Sequence, residues 1–214
     1  MHIPDGFLSP QTWLPAWGVA AAAWTWAGRG LARRLDETLV PRLAMLTALA
    51  YALGLIMLPL PGGTSGHALG VAVLALVFGV RLAFLAYSGV LLLQALLFGA
   101  GGITALGVNA LALGLVGALV TVGLYRLLAR FGEALAVTVA AFVSLQVSAL
   151  IVALVLGLQP TIARREDGTP LFFPLGLEIT VPAVLLPHLL IGVGEAALTL
   201  FVWRLARRKG WVAT

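Results

Sequence analysis

Long apolar stretches, separated by short polar or glycine-rich breaks, run along nearly the whole chain. Stretches of this kind predict helices that cross a bilayer, because a transmembrane helix needs about 20 mainly apolar residues. We therefore predict an all-α integral membrane protein with a single transmembrane domain over residues 1–214. A short amino-terminal segment, residues 1–9, precedes seven predicted spans at about 10–28, 43–60, 68–80, 82–98, 103–124, 134–158 and 179–205.

Composition supports the membrane prediction. Hydrophobic residues make up 61% of the chain and charged residues only 10%, whereas soluble domains carry about 25% charged residues. The chain contains no cysteine, which excludes disulfides, thiolate metal sites and cysteine nucleophiles. No basic region precedes the first apolar stretch, so we expect no cleavable signal peptide.

The basic residues predict the orientation. A net charge of +5 would suit nucleic acid, but the positive charges lie at the ends of apolar stretches, where they set topology, so we expect no nucleic-acid partner. With the amino terminus outside, the carboxyl terminus cytoplasmic and seven spans between them, only Arg164 and Arg165 fall outside. The cytoplasmic set is Arg29, Arg33, Arg34, Arg42, Arg81, Arg126, Arg130, Arg204, Arg207, Arg208 and Lys209.

The third predicted span is too short for the bilayer. From His67 to Val80 a helix measures roughly 21 Å at 1.5 Å per residue, and the hydrocarbon core is about 30 Å thick. One interpretation is that His67 lies below the outer surface and that the glycine-rich loop before it dips into the protein, lining a cavity. The other is a simple turn at Leu60–Gly63 followed by a short or tilted helix.

The first two residues form a candidate metal chelate. The α-amine of Met1, the deprotonated amide nitrogen of His2 and its Nδ1 can bind one ion in a plane, and His67 can fill the fourth position. A planar all-nitrogen site suits Ni(II) or Cu(II). The predicted topology puts both histidines on the outer face, and Pro4-Asp5-Gly6 is typical of a turn. The alternative is a frayed chain end, as terminal residues usually are.

Several polar side chains fall inside the predicted spans, where they are costly and often functional. Asn109 lies near the outer face and has two interpretations, a hydrogen bond to the loop that carries the metal ligands or an inter-helix hydrogen bond. His188 and Glu195 share one helix face, and we expect both to serve helix packing. We expect Ser144 and Ser148 to bond back to their own helix.

These motifs resemble the cobalt/nickel substrate-binding membrane subunits of energy-coupling-factor ABC transporters, the CbiM/NikM family. The resemblance rests on the following residues: 1–8 (MHIPDGFL) followed by Trp13, 63–67 (GTSGH), 93–99 (LQALLFG), 101–107 (GGITALG), Asn109, and His188, Ile191, Gly192 and Glu195. It implies that Met1, His2 and His67 bind Ni(II), or else Co(II), as a transported substrate and that no cofactor is bound. Thr64, Ser65, Gly66 and Asn109 are then candidates to support the metal ligands.

The resemblance also implies partners. A transmembrane coupling protein (T protein) and two cytoplasmic ATPases are expected in the bilayer assembly, often with a small accessory membrane subunit. The chain has no Walker-type phosphate loop, so we expect it not to be an enzyme. Ala100 stands where the family pattern leads us to expect an acidic residue. The alternative functions are an intramembrane redox or haem-binding protein and a structural membrane subunit.

Overall fold

The computed structural model describes residues 1–31, 35–60 and 64–212, without the side chains of Leu60, Thr64 and Ser65. Over these ranges the regular secondary structure is helical apart from one short hairpin, β1 (Leu58–Leu60) with β2 (Thr64–Gly66). The helices are α1 (Pro10–Gly28), α2 (Leu39–Leu55), α3 (Val71–Phe78), α4 (Val80–Phe98), α5 (Leu106–Asn109), α6 (Gly117–Leu128), α7 (Glu133–Gly157), α8 (Gln159–Ile162) and α9 (Leu177–Arg208).

The predicted all-α membrane fold class is confirmed. Within the described ranges, four helical segments are both long and apolar enough to cross a bilayer: Val80–Phe98, Leu106–Phe131, Glu133–Ile162 and Leu177–Arg208. The second of these joins α5 to α6 through a π-helical stretch, Ala110–Val116. The count of seven spans and the orientation of the termini stay predictions.

The region around His67 contains a hairpin and a short helix where the sequence predicted parts of two membrane spans. Residues 58–60, which we placed in the second span, form β1 and pair antiparallel with β2. Pro59 disfavours helical geometry in the residue before it, which accounts for the end of α2 at Leu55. The third span is an eight-residue helix, α3, about 12 Å long at 1.5 Å per residue, so by itself it does not cross a bilayer.

Protein surrounds α3 on its amino-terminal side. Its first five residues, Val71 to Ala75, are all buried. At its other end, Gly79 (φ 80°, ψ 170°) separates it from α4, and glycine adopts such a conformation without steric cost. A short buried helix that follows irregular backbone fits the expectation that non-helical backbone at membrane depth is covered by protein.

Small and polar residues within the spans contact neighbouring helices. The glycines of the fifth span face neighbouring helices: a Cβ on Gly107 would lie 2.9 Å from the backbone nitrogen of Trp17. The expectation for Ser144 and Ser148 is wrong, because their hydroxyls donate to the carbonyls of Gly117 (2.7 Å) and Ala112 (3.0 Å) on the adjoining segment. Ala112 lies in the π-helical stretch, and such stretches depart from the regular α-helical bonding of carbonyls.

Candidate metal centre at the amino terminus

Two imidazoles meet inside the protein. The ring centroids of His2 and His67 are 4.3 Å apart, with the ring planes tilted by 47°. Their residues are 3% and 1% exposed, and Met1 is 1% exposed. The structure therefore brings the sequence-predicted residues Met1, His2 and His67 to one buried place, although His67 is more than 60 residues away along the chain.

The ring nitrogens at this place have free acceptor capacity. Nδ1 of His67 lies 2.9 Å from the carbonyl oxygen of Ala68; only an N–H can bond a carbonyl, so Nδ1 carries the proton and Nε2 keeps a lone pair. That Nε2 is buried and has no hydrogen-bond partner among the described residues, and the same holds for both ring nitrogens of His2. Buried polar atoms in native proteins usually have a partner. A neutral imidazole has one nitrogen with a lone pair, so Nε2 of His67 and one ring nitrogen of His2 fit a bound cation.

Asn109 holds the amino-terminal segment next to His2. The backbone N–H of Ile3 donates to Asn109 Oδ1 (3.0 Å), and Asn109 Nδ2 donates back to the Ile3 carbonyl (3.1 Å). The N–H of Gly102 donates to the same carbonyl at 3.0 Å. A Cβ on Gly101 (φ +86°) would lie 3.1 Å from Cβ of His2, so glycine is needed there. Asn109 thus contacts the His2 segment rather than the loop before His67.

Asp5 fixes the turn that follows. Its carboxylate accepts the backbone N–H groups of Ile103 (3.0 Å) and Thr104 (2.8 Å) and the Thr104 hydroxyl. Partial burial raises the pKa of Asp5, but these hydrogen bonds outweigh it and hold that pKa below its usual value. These donors belong to the residues just before α5, and Asn109 is the last residue of α5. The turn at Pro4–Gly6 and the bonds of Ile3 are therefore held by the same part of the chain.

Burial also sets the charge of the candidate ligands. It lowers the pKa of the Met1 amine from 8.0 to about 4. Burial lowers the pKa of His2 well below 6.5, and the positive charges of His67 and the terminal amine lower it further. His67 is affected in the same way, by burial first and then by the terminal amine, with a smaller contribution from His188. The three groups are therefore neutral at physiological pH, the form in which nitrogen binds a metal.

Glu195 supports the loop that carries His67, a role that sequence reasoning missed. Its carboxylate oxygens accept the backbone N–H groups of Leu69 (2.9 Å) and Gly70 (2.8 Å). Glu195 is 2% exposed and belongs to α9, so its bonds join that helix to the residues directly after His67. We expected Glu195 to serve helix packing, because its partners lie about 125 residues away along the chain and no local pattern indicates them.

His188 borders the same region. Its Nδ1 lies 2.6 Å from the carbonyl of Val184, and its Nε2 is buried without a partner among the described residues. Of the remaining predicted residues, Gly66 is buried beside His67. The side chains of Thr64 and Ser65 lie outside the described part of the chain.

The donor set is unusual. Within the described ranges, no cluster of three or more His, Cys, Asp or Glu side chains could hold a metal ion. The candidate centre consists of two imidazoles beside a buried amine.

The same arrangement of helices occurs in known proteins. Residues 2–211 match the family CbiM, described as "Cobalt uptake substrate-specific transmembrane region". The chain belongs to the CbiM family. This confirms the resemblance found in the sequence and the multi-pass membrane location. A crystal structure described as a truncated transition metal transporter superposes on this CbiM-family chain with a TM-score of 0.93. That structure is 36% identical in sequence, and the match covers 98% of this chain and 99% of that one.

Relatives of this CbiM-family chain have names that mention either nickel or cobalt. The "Probable fused nickel transport protein LarMN" of Lactiplantibacillus plantarum is 41% identical over 97% of this chain and 65% of its own length. The "Fused nickel transport protein NikMN" of Rhodobacter capsulatus is 37% identical over 93% of this chain and 59% of its own length. The "Cobalt transport protein CbiM" of Chlorobium limicola is 33% identical over 97% and 81%. The chain thus spans under two thirds of the fused relatives.

Proposed function

We propose that this chain captures a divalent transition-metal cation for uptake into the cell, Ni(II) in first place and Co(II) in second. The proposed ligands are the Met1 amine, the deprotonated amide nitrogen and Nδ1 of His2, and Nε2 of His67. The observation that carries the proposal is the pair of adjacent buried imidazoles. Nε2 of His67 and both ring nitrogens of His2 have no hydrogen-bond partner among the described residues.

The spacing of the two rings supports a shared ion. If metal–imidazole bonds are about 2.0 Å, two imidazoles bound at right angles to one ion have ring centroids about 4.4 Å apart. The separation of His2 and His67 is 4.3 Å. In the proposed plane, Nδ1 of His2 and Nε2 of His67 are neighbours, which is the right-angle case. A plane of four nitrogens favours Ni(II) over Co(II), although Cu(II) would bind it more tightly still.

The membrane partners belong to the same proposal. Metal uptake by this chain would use a separate transmembrane coupling protein and two cytoplasmic ATPases, with ATP hydrolysed by the ATPases. The names of the relatives support transport rather than catalysis, and the fused relatives support association with a further component.

The geometry argues against haem between the two histidines. Two axial imidazoles on opposite sides of a haem iron would need ring centroids more than about 6 Å apart, given metal–nitrogen bonds of about 2 Å. At 4.3 Å no porphyrin fits between the rings of His2 and His67.

The test is metal binding by purified protein with an unmodified amino terminus. We expect two residues added before Met1 to abolish high-affinity Ni(II) binding in calorimetry, because the added peptide removes the free amine from its buried position. The same two residues added after Thr214 are the control and should change nothing. His67→Ala should weaken binding strongly, and His67→Gln should not restore it, since an amide is a poor substitute for imidazole. Unchanged affinity in the extended protein and in His67→Ala would refute the proposed site.

A further inference from the structure

His188 is the buried imidazole that the proposed ligand set leaves unused. The residue is 0% exposed. Its Nδ1 is 2.6 Å from the Val184 carbonyl, so the proton is on Nδ1 and Nε2 presents a lone pair. A helix-internal bond thereby fixes the tautomer and leaves the other nitrogen as an acceptor. Since no described residue donates to Nε2, this lone pair is buried at a cost.

His188 lies on the face of α9 that borders the candidate centre. Residues 188, 191 and 195 share one face of α9, as residues three and four apart do. Ile191 and Glu195 border a cavity of about 270 Å³ that His67 also borders. His188 is close enough to His67 to act on it electrostatically, and it lies on the same helix face as these cavity-lining residues.

The other polar side chain of α9 that lines this cavity is Glu195, and it is already engaged. Both carboxylate oxygens of Glu195 accept backbone N–H groups of Leu69 and Gly70. Nε2 of His188 is therefore the nitrogen on this face of α9 that has no partner among the described residues.

We propose that Nε2 of His188 is a fifth nitrogen donor, which binds the transported cation from one side of the four-nitrogen plane. This inference rests on the proposed function. The four planar donors are carried by the amino-terminal segment and the His67 loop, whereas this fifth donor comes from α9. Neutral imidazole is a common ligand for Ni, Co and Cu.

A fifth donor affects cations unequally. Low-spin Ni(II) is satisfied by four ligands in a plane, whereas Co(II) readily takes a further ligand above the plane. His188 would thus strengthen Co(II) binding more than Ni(II) binding. It would give one site the ability to carry both metals that appear in the names of the relatives.

The test uses Co(II)-loaded protein and the variant His188→Asn. Asparagine keeps an N–H near the Nδ1 position for the Val184 carbonyl and lacks Nε2. In low-spin Co(II) the unpaired electron points along the apical direction, so one apical nitrogen splits each parallel hyperfine line of the electron paramagnetic resonance spectrum into a triplet. We expect the triplet in the wild type and its loss in His188→Asn. Co(II) affinity should fall at least roughly tenfold, as when support of a metal ligand is removed, and Ni(II) affinity should fall less.

The control is Thr199→Val. It also removes a buried polar atom that has no partner among the described residues, on the same helix and about 16 Å further along, at 1.5 Å per residue. Thr199→Val should keep the triplet and both affinities. The inference is overturned if the wild-type spectrum has no apical nitrogen splitting, or if His188→Asn keeps the Co(II) affinity and spectrum of the wild type. Protein that binds neither metal would refute the proposed function itself.

Discussion

At the scale of single residues, the amino terminus is held by side chains that touch backbone rather than metal. Asn109 forms a two-bond amide pair with Ile3, much as a neighbouring strand would. Buried backbone groups that lose a partner cost about 1–3 kcal/mol. The position of His2 therefore depends on the residue that follows it, and through that residue on a side chain of α5.

Asn109→Ala should lower the free energy of unfolding by about 1–3 kcal/mol, because Ile3 N–H loses its buried partner. Ni(II) affinity should fall as well, since His2 is no longer held beside His67. Thermal unfolding in detergent and calorimetry measure the two effects. Thr138→Ala, which removes an exposed hydroxyl bonded within its own helix, is the control and should change neither. Wild-type metal affinity in Asn109→Ala would contradict the role of the amide pair.

The metal-free protein should lose stability as the pH falls. Burial lowers the pKa of the Met1 amine from 8.0 to about 4. Between these pH values the amine is protonated in the unfolded chain and neutral in the folded chain. The stability present above pH 8 is therefore lost progressively down to about pH 4, at up to about 1.4 kcal/mol per pH unit for this group. His2 and His67, whose pKa values are lowered below 6.5, should steepen the loss of stability below that pH.

Melting temperatures measured from pH 8 to pH 5 test this. In His67→Leu the melting temperature should fall less steeply with pH below pH 6.5 than in the wild type. A melting temperature that rises towards pH 5 would be the opposite of this expectation.

At the scale of elements, the loop before α3 depends on α9. Glu195 accepts the N–H groups of Leu69 and Gly70, the last two residues before α3. His67 lies two residues before Leu69. A helix at the far end of the sequence thus fixes the backbone of the second imidazole, just as α5 fixes that of the first.

Glu195→Gln should weaken Ni(II) binding by acting through His67. Glutamine keeps one acceptor and turns an N–H towards the other backbone donor, so the loop shifts. In the His67→Ala background the same substitution should have little further effect on affinity, because the ligand it positions is gone. A double-mutant cycle by calorimetry measures this coupling. Equal effects of Glu195→Gln in both backgrounds would mean that Glu195 acts on the fold rather than on His67.

At the scale of the whole molecule, the sequence predicted the membrane fold class and the family because both depend on local features, the apolar stretches and the motif around His2. The hairpin at Leu58 was not predicted, since proline within an apolar stretch has several interpretations. The break between the third and fourth spans was predicted at Arg81 and lies at Gly79. The bonds of Glu195 and the partners of Ser148 depend on which helices become neighbours. No pattern along one helix contains that information.

The orientation can be tested because the chain contains no cysteine. We expect Glu166→Cys, in the exposed loop after α8, to react with a membrane-impermeant maleimide in intact cells. Glu37→Cys, in the exposed loop before α2, should react only after permeabilisation, since the basic residues near it are predicted to be cytoplasmic. The cysteine-free parent is the control for background labelling. The reverse pattern would invert the predicted topology.

The bonds of the amino-terminal segment have a consequence for biosynthesis. Ile3 pairs with Asn109, Ser9 with Gln159 and Phe7 with Phe173, and the loop of His67 is held from α9. Residues 3–9 therefore reach their final places only after residues up to α9 have entered the bilayer. Nascent chains released before α9 should lack the ability to retain nickel, and that ability should arise in a single late step.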